Sequence, residues 1–278
     1  MLNQRFRLHH FIALVLGLLF ALFPIFWMVS TSFKPTYEWG SSPPVWISDQ
    51  ATWANYAPLI IEFKGVYLAG NGASWVAMLH SLIVSGAATF ISLFIGGMAA
   101  IGFARYQAGG HALAISILSV RGIPTVVIAI PFLILFGWLG LRDTHIGLIL
   151  AYVTFTVPFA FWMLKSFIDD IPPEVEEAAM MDGMSRWQAH FRVTLPLIKG
   201  GVIATALFIF ILNWSEFLLA MVLTEKTVIT VPVNMHLYGG AFGIQAALAT
   251  VAALPIVIAG LLIHKHLARG FTLGAIKR

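Results

Sequence analysis

The chain has 278 residues and a mass of 30.5 kDa; 59% of its residues are hydrophobic, 10% are charged, and the mean hydropathy is +0.89. Soluble domains run near 25% charged, so this composition excludes a water-soluble globule and a disordered chain and places the protein in a lipid bilayer. The formal net charge is +4 and cysteine is absent, which excludes a disulfide framework, a thiolate metal site and a cysteine nucleophile.

A helix that crosses the hydrocarbon core needs about 20 mostly apolar residues. Six stretches meet or approach that length, at residues 11–33, 75–104, 112–139, 146–167, 202–223 and 246–263. None alternates with the short period of a barrel strand. The chain therefore reads as an all-α membrane protein with six transmembrane helices. Basic residues orient it. With the N-terminus in the cytoplasm, eleven Lys and Arg fall on the cytoplasmic side and four on the outer side, with Arg121 inside the third span. Both termini are expected to be cytoplasmic.

Residues 1–33 read as a retained N-terminal transmembrane anchor helix. Its apolar run is too long for a cleaved signal, and no small-x-small cleavage site follows. Pro24, Trp27 and Lys34 read as a kink, an interfacial anchor and a flank. Residues 34–74 form the longest polar connection, an extracytoplasmic loop rich in turn formers, including Gly40, Pro43, Pro44, Gly70, Asn71 and Gly72. The segment reads either as a small cap with short helices or as a mere tether. Residues 75–268 form the transmembrane core. Within it, Ser81, Ser85, Ala88, Ser92, Gly96 and Ala99 make a small-residue stripe on the second span, a helix-packing seam that a partner chain could share, and not a binding site. Residues 269–278 form a cytoplasmic tail.

The segment 168–200 differs from the rest of the core. It holds Asp169, Asp170, Glu174, Glu176, Glu177 and Asp182, half of the acidic total. Pro172-Pro173 opens a short helix, where a missing N–H does no harm, and the glutamates sit in its first turns, where the helix dipole favours them. Gly183 suits a left-handed C-cap. Ser185 and Gln188 fit a capping box for a second helix, which Pro196 stops or kinks. A capped helix–Gly–helix elbow is expected on the cytoplasmic surface, either a self-packed surface hairpin or one whose Ala178 and Ala179 offer a close approach to another protein. The outer loop at residues 224–245 carries Gly239, Gly240 and Gly243 and is expected to protrude and flex. His9-His10 and His264-x-His266 sit at membrane edges without a carboxylate at ligand spacing. No metal site and no catalytic group is expected.

The string Glu177-Ala178-Ala179-x-x-x-Gly183, then nine residues, then Val193-x-Leu195-Pro196 closely resembles the EAA signature of ABC-importer permease subunits. Only Val193 departs from it, standing in for Ile. Pro24, Trp27, Ser30, Ser32, Lys34 and Pro35 resemble the start of the maltose-type carbohydrate permeases, as do Pro43-Pro44 and Asn55-Tyr56 in the outer loop. Pro124, Pro131, the run from Asn213 to Phe217 and the tail from Gly270 to Lys277 are similar too, the tail to the smaller subunit of that permease pair. The likeness spans nearly the whole chain.

The resemblance implies the type I ABC-importer permease fold in a bacterial cytoplasmic (inner) membrane. It implies a heterodimer with a second permease subunit, two ATP-binding-cassette ATPase subunits and an extracytoplasmic solute-binding protein, with no nucleic acid. The elbow would then be the coupling helix, with Glu176, Glu177, Ala178, Ala179, Asp182 and Gly183 meeting the ATPase. ATP and Mg would bind in those partners and no cofactor in this chain, which lacks a G-x-x-x-x-G-K-[ST] phosphate loop. An outer loop comprising Leu237, Tyr238, Gly239, Gly240 and Phe242 would reach the binding protein, or serve only as a tether.

For the pathway, a mid-span Arg costs about 2.5–3.5 kcal/mol to insert, so Arg121 must face either an ion-pair partner such as Glu216 or the cargo. Asn213 and Glu216 share a helix face. Tyr152 and Phe155 belong to an aromatic face on the fourth span that suits sugar rings or plain packing. The expected function is translocation of a sugar or sugar-like solute. A different ABC import class, or an autonomous secondary carrier, is the alternative.

Overall fold

The computed structural model describes residues 8–60, 74–120 and 122–274. Among these, every regular element is helical. α1 (Leu8–Ser32) is followed by two 3-10 turns, Thr36–Glu38 and Ala54–Leu59. Then come α2 (Ser74–Tyr106), α3 (Gly110–Val120), α4 (Thr125–Trp138), α5 (His145–Asp169) and α6 (Pro173–Met181). α7 (Arg186–Ala189), a π-helical turn (His190–Thr194) and α8 (Leu195–Leu197) lead into α9 (Lys199–Trp214). α10 (Leu218–Leu223), α11 (Val231–Leu237) and α12 (Phe242–Gly274) complete the order.

Four helices are long and apolar enough to cross a membrane by themselves: α1, α2, α5 and the first 20 residues of α12. The number reaches six if each of two bent pairs counts as one span. Six uninterrupted spans are therefore not what the chain forms. The stretch 112–139, read as one helix, divides into α3 and α4, which meet at 90°. Pro124 stands at the N-cap of α4 with no N–H to continue a ladder, and Gly122 is a poor helix former. The stretch 202–223 divides as well, between α9 and α10. A third bend, of 75°, separates residues 186–197 from α9.

The chain forms two compact units, residues 1–75 with 234–254 and residues 76–233 with 255–278. In the first unit, the described part of the outer loop folds back on the end of α1. Asn55 Nδ2 donates to the carbonyls of Ser32 (2.9 Å) and Lys34 (2.8 Å), and Trp39 Nε1 donates to Lys34 as well (2.9 Å). Lys34, expected as a flank of the first span, is buried with Nζ 3.8 Å from the centre of the Trp27 ring. Gly243 sits against Trp39 and Asn55 with no room for a Cβ. It is a point of close approach, which corrects its reading as a flexible joint.

In the second unit, α2 packs on α5 through the small-residue stripe. Lipid tails are as apolar as leucine, so close packing and hydrogen bonds must hold such a seam. Thr156 Oγ1 donates to the Tyr152 carbonyl (2.8 Å), so the hydroxyl of Ser92 donates to Thr156 (2.7 Å). One turn further, a Cβ at Gly96 would stand 2.5 Å from Ala160 Cβ and 2.8 Å from the Phe161 nitrogen. Ser81 Oγ accepts from the Val231 N–H (2.8 Å). The stripe is thus consumed within the chain. Gly96→Leu is expected to lower the thermal midpoint of the purified protein by an overpacking cost of about 1–3 kcal/mol. Ser92→Ala is expected to cost only about 0.6 kcal/mol.

Far from the elbow, Asp143 ties two loops together. Its carboxylate accepts from the backbone N–H groups of Glu225, Lys226, Thr227 and Val228 at 2.8–3.1 Å. Burial alone would raise its pKa, but these four donors outweigh burial and hold it at about 2. A depressed carboxylate stabilises the fold above its unfolded pKa, and that stability is lost as pH falls toward 2. Asp143→Asn is expected to lower the thermal midpoint at pH 7. The gap to the native protein should close between about pH 4 and pH 2, which a pH series of melting curves would read.

Candidate functional site

Two places in the second unit combine polar chemistry with unusual backbone. The first is the elbow. Pro172 is the N-cap of α6 and Pro173 its first residue. At the other end Gly183 has φ +93. Its N–H bonds the Met180 carbonyl (3.0 Å), and the Met184 N–H bonds that of Ala179 (3.1 Å). This is a Schellman closure. Ser185 Oγ then accepts from the Gln188 N–H (3.3 Å) while Gln188 Oε1 accepts from the Ser185 N–H (2.8 Å). The expected capping box is present.

A feature hidden from sequence sits inside the elbow. Glu176 is buried, and its Oε1 accepts from Arg105 Nε at 3.0 Å and from the Thr194 hydroxyl at 2.5 Å. His190 Nδ1 lies 3.2 Å from Oε2, at ion-pair distance, and its Nε2 is 2.9 Å from the Tyr106 hydroxyl. Arg105 also donates through Nη2 to the carbonyls of Ile168 (3.1 Å) and Ile171 (2.9 Å), closing the end of α5. Burial would raise the Glu176 pKa, but the Thr194 hydroxyl, the Arg105 guanidinium and His190 together bring it below the usual range. One carboxylate thus joins α2, α6 and the π-helical turn, which presents His190 and Thr194 to it. In that turn the Leu195 N–H reaches back five residues to His190. Ile198, at the 75° bend, packs with Ala100, Phe161, Leu164 and Ile168. The axis turns there, two residues beyond Pro196.

Around this buried carboxylate, Glu177, Ala178, Asp182 and Gly183 are exposed, whereas Ala179 is buried and does not join them. Met181 is 88% exposed and Trp187 56%. A polar segment that displays apolar side chains of this size reads as an interaction surface.

The second place is a cleft of about 240 Å³. It gathers four of the five expected pathway residues: Tyr152, Phe155, Asn213 and Glu216. Arg121 lies outside the described residues. Both divided stretches border the cleft, through Ile123 and Thr125 at one break and Glu216 at the other. The Glu216 carboxylate accepts from the N–H groups of Leu219 (3.0 and 3.1 Å) and Ala220 (3.2 Å), so it caps α10. The Tyr152 hydroxyl points at the Glu216 carbonyl (3.4 Å), and Asn213 Nδ2 donates to Thr89 (3.3 Å). Irregular backbone at membrane depth survives only when buried in protein or lining a cavity. The cleft meets that condition for both breaks.

In the first unit, Leu237 ends α11, Tyr238 is buried with its hydroxyl 3.5 Å from Ser74 Oγ, and Gly239 and Gly240 form a tight turn with φ +84 at Gly240. Phe242 is exposed at the start of α12. The expected long flexible loop is instead a short helix and a turn. Among the described residues no cluster of three or more metal-ligating side chains forms.

Helices interrupted around a cleft in which Thr125, Tyr152, Thr156, Asn213 and Glu216 stand among apolar side chains, with a capped elbow braced against the same bundle, define a membrane permease. The chain belongs to the family described as the binding-protein-dependent transport system inner membrane component, which matches residues 92–273. It is 34% identical over 272 residues to the trehalose transport system permease protein SugB of Mycobacterium tuberculosis, covering 95% of this chain and 94% of that one. It is 32% identical over 274 residues to the sulfoquinovosyl glycerol transport system permease protein SmoH of Agrobacterium fabrum, covering 96% and 93%. The fold is shared with a bacterial ABC transporter that imports the acidic polysaccharide alginate, at a TM-score of 0.72 and 20% identity over 95% of this chain and 98% of that one. The protein is a multi-pass permease subunit of an ABC importer in the inner membrane, a transport subunit and not an enzyme.

Truncating one partner of a buried ion pair leaves an uncompensated charge and costs about 3–5 kcal/mol. Arg105→Met is therefore expected to raise amide hydrogen exchange across residues 173–197 strongly. Arg105→Met combined with Glu176→Leu should restore much of the protection.

Proposed function

We propose that this chain is one of two different permease subunits that carry a sugar or sugar derivative inward, with the cleft on the cargo's path. The observation that carries the reading is the convergence of both helix breaks on that one cleft, together with the sugar-carrying relatives. Phe155 offers an aromatic face to the C–H side of a sugar ring, while Tyr152, also on the cleft lining, is buried. Asn213 and Glu216 offer hydrogen-bonding groups for hydroxyls at the unwound backbone, the arrangement by which discontinuous helices build transport sites.

In this reading the elbow and both termini face the cytoplasm, as the distribution of basic residues favours. The exposed Glu177, Ala178, Asp182 and Gly183 meet one of two ATPase subunits, which hold ATP and Mg. Glu176 and Ala179 serve the same coupling from within, by fixing the shape of the surface. The ATPases gain leverage because ATP binds one global state better than the other, and the elbow carries that bias as a rigid body. On the outer side, the Gly239–Gly240 turn with Phe242, backed by Leu237 and Tyr238, meets the solute-binding protein.

The test is uptake by the complete importer in proteoliposomes. Phe155→Ala is expected to lower sugar uptake about ten-fold, while ATP hydrolysis stimulated by the binding protein stays within about two-fold of the parent. Undiminished uptake would remove Phe155, and with it this cleft, from the path.

A further inference from the structure

Two hollows at the elbow end of the second unit have no part in the transport reading. One, of about 330 Å³, has Tyr106, Arg186, Trp187 and His190 at its rim and Met98 and Ile101 on its floor. The other, of about 340 Å³, is walled by apolar side chains, including Phe94, Phe191, Leu195 and Val202. Met98 and Ile101 line both. The two are therefore one trough with a polar mouth and a greasy floor.

The mouth is positive. Arg186 lies 5.8 Å from the centre of the Tyr106 ring and forms no ion pair with any described residue. Charge along the elbow is also divided. Residues 169–183 carry six acidic side chains and no basic one, whereas residues 184–200 carry Arg186, Arg192 and Lys199 and no acidic one. The acidic half is α6 with its flanks, from the end of α5 to Gly183. The basic half borders the trough and leads directly into α9. A guanidinium suits a phosphate, which it can bind through two parallel N–H groups. Basic pockets between helices on the cytoplasmic side suit anionic headgroups.

We propose that this trough is a binding site for one anionic phospholipid of the inner leaflet. Its phosphate meets Arg186 at the mouth beside Trp187 and His190, and one acyl chain lies along Met98, Ile101 and Val202. A zwitterionic lipid fits the floor equally well but leaves the uncompensated Arg186 without a net negative partner. The inner-leaflet placement rests on the cytoplasmic orientation of the elbow. A bound lipid would brace α2 against the basic half of the elbow, next to the Glu176 cluster that His190 also joins.

The test is native mass spectrometry of the assembled importer after equilibration with equal amounts of phosphatidylglycerol and phosphatidylcholine. The parent is expected to keep one phosphatidylglycerol per copy of this chain through delipidation. Arg186→Gln should lower that retention at least about five-fold, Arg186→Lys should largely keep it, and Met98→Trp, which fills the junction, should lower it. Equal retention of the two lipids by the parent would overturn the proposal, as would undiminished phosphatidylglycerol retention in Arg186→Gln. Should a variant not assemble, phosphatidylglycerol with a photoreactive acyl chain decides on the parent complex. Cross-links are expected within residues 90–101 and 191–202. Cross-links only elsewhere would overturn the site. Retention in detergent does not depend on sidedness, so failure here is separate from failure of the orientation, which protease access to the elbow in oriented vesicles reports.

Discussion

The structure depends on one constraint: hydrocarbon offers no hydrogen bonds, so every backbone group at membrane depth must find its partner inside the protein. Continuous helices satisfy that automatically, and α2 and α5 do so over 33 and 25 residues. The two divided stretches do not. Their loose ends are met by Glu216, which caps α10, and by Pro124, which has no N–H to leave unmet. Interrupted helices are thus held open by specific side chains, and the space they leave is the cleft. In the proposed reading, the cargo path and the cost of backbone exposure are met at the same residues.

The elbow solves the opposite problem. It must stand in water without being loose. Its surface is shaped by local closures at Gly183 and Ser185, and its position by the buried Glu176 with Arg105, Thr194 and His190. A buried ion pair is weak evidence for stability as such, but this one adds a polar tie among three elements that also meet through the Tyr106–His190 contact and the packing of Ile198 on Ala100. The contact between α2 and α6 thus includes a buried charge pair, and losing one partner would leave the other charge uncompensated.

Local chemistry was legible in the sequence and distant chemistry was not. The caps of α6 and α7 follow from residues three to six positions apart, and the apolar stretches follow from composition. Glu176 reads equally well as a solvated first-turn acid, because its partner Arg105 is 71 residues away. Lys34 reads as a membrane flank because nothing local reveals the Trp27 ring and the fold of the cap around it. The break at Pro124 had a visible proline that a hydropathy window averages away. The break after Trp214 has neither Pro nor Gly among residues 215–217, and the Glu216 cap that marks it resembles an ordinary mid-span acid. Tyr152, Phe155, Asn213 and Glu216, which line the cleft, were nonetheless visible, since polar and aromatic side chains within apolar stretches stand out whichever way the backbone runs.

The 75° bend at Ile198 has a consequence in gearing. α9 has 16 residues and is therefore about 24 Å long. Because the elbow continues into α9 at an angle, it acts as a crank: a swing of about 5° at the elbow carries the far end of α9, next to Asn213 and Glu216, through about 2 Å. That displacement is comparable to the difference between a made and a broken hydrogen bond. A small rotation imposed at one end of the bundle is thus enough to rewrite the hydrogen bonds that a solute would meet at the other end of that helix.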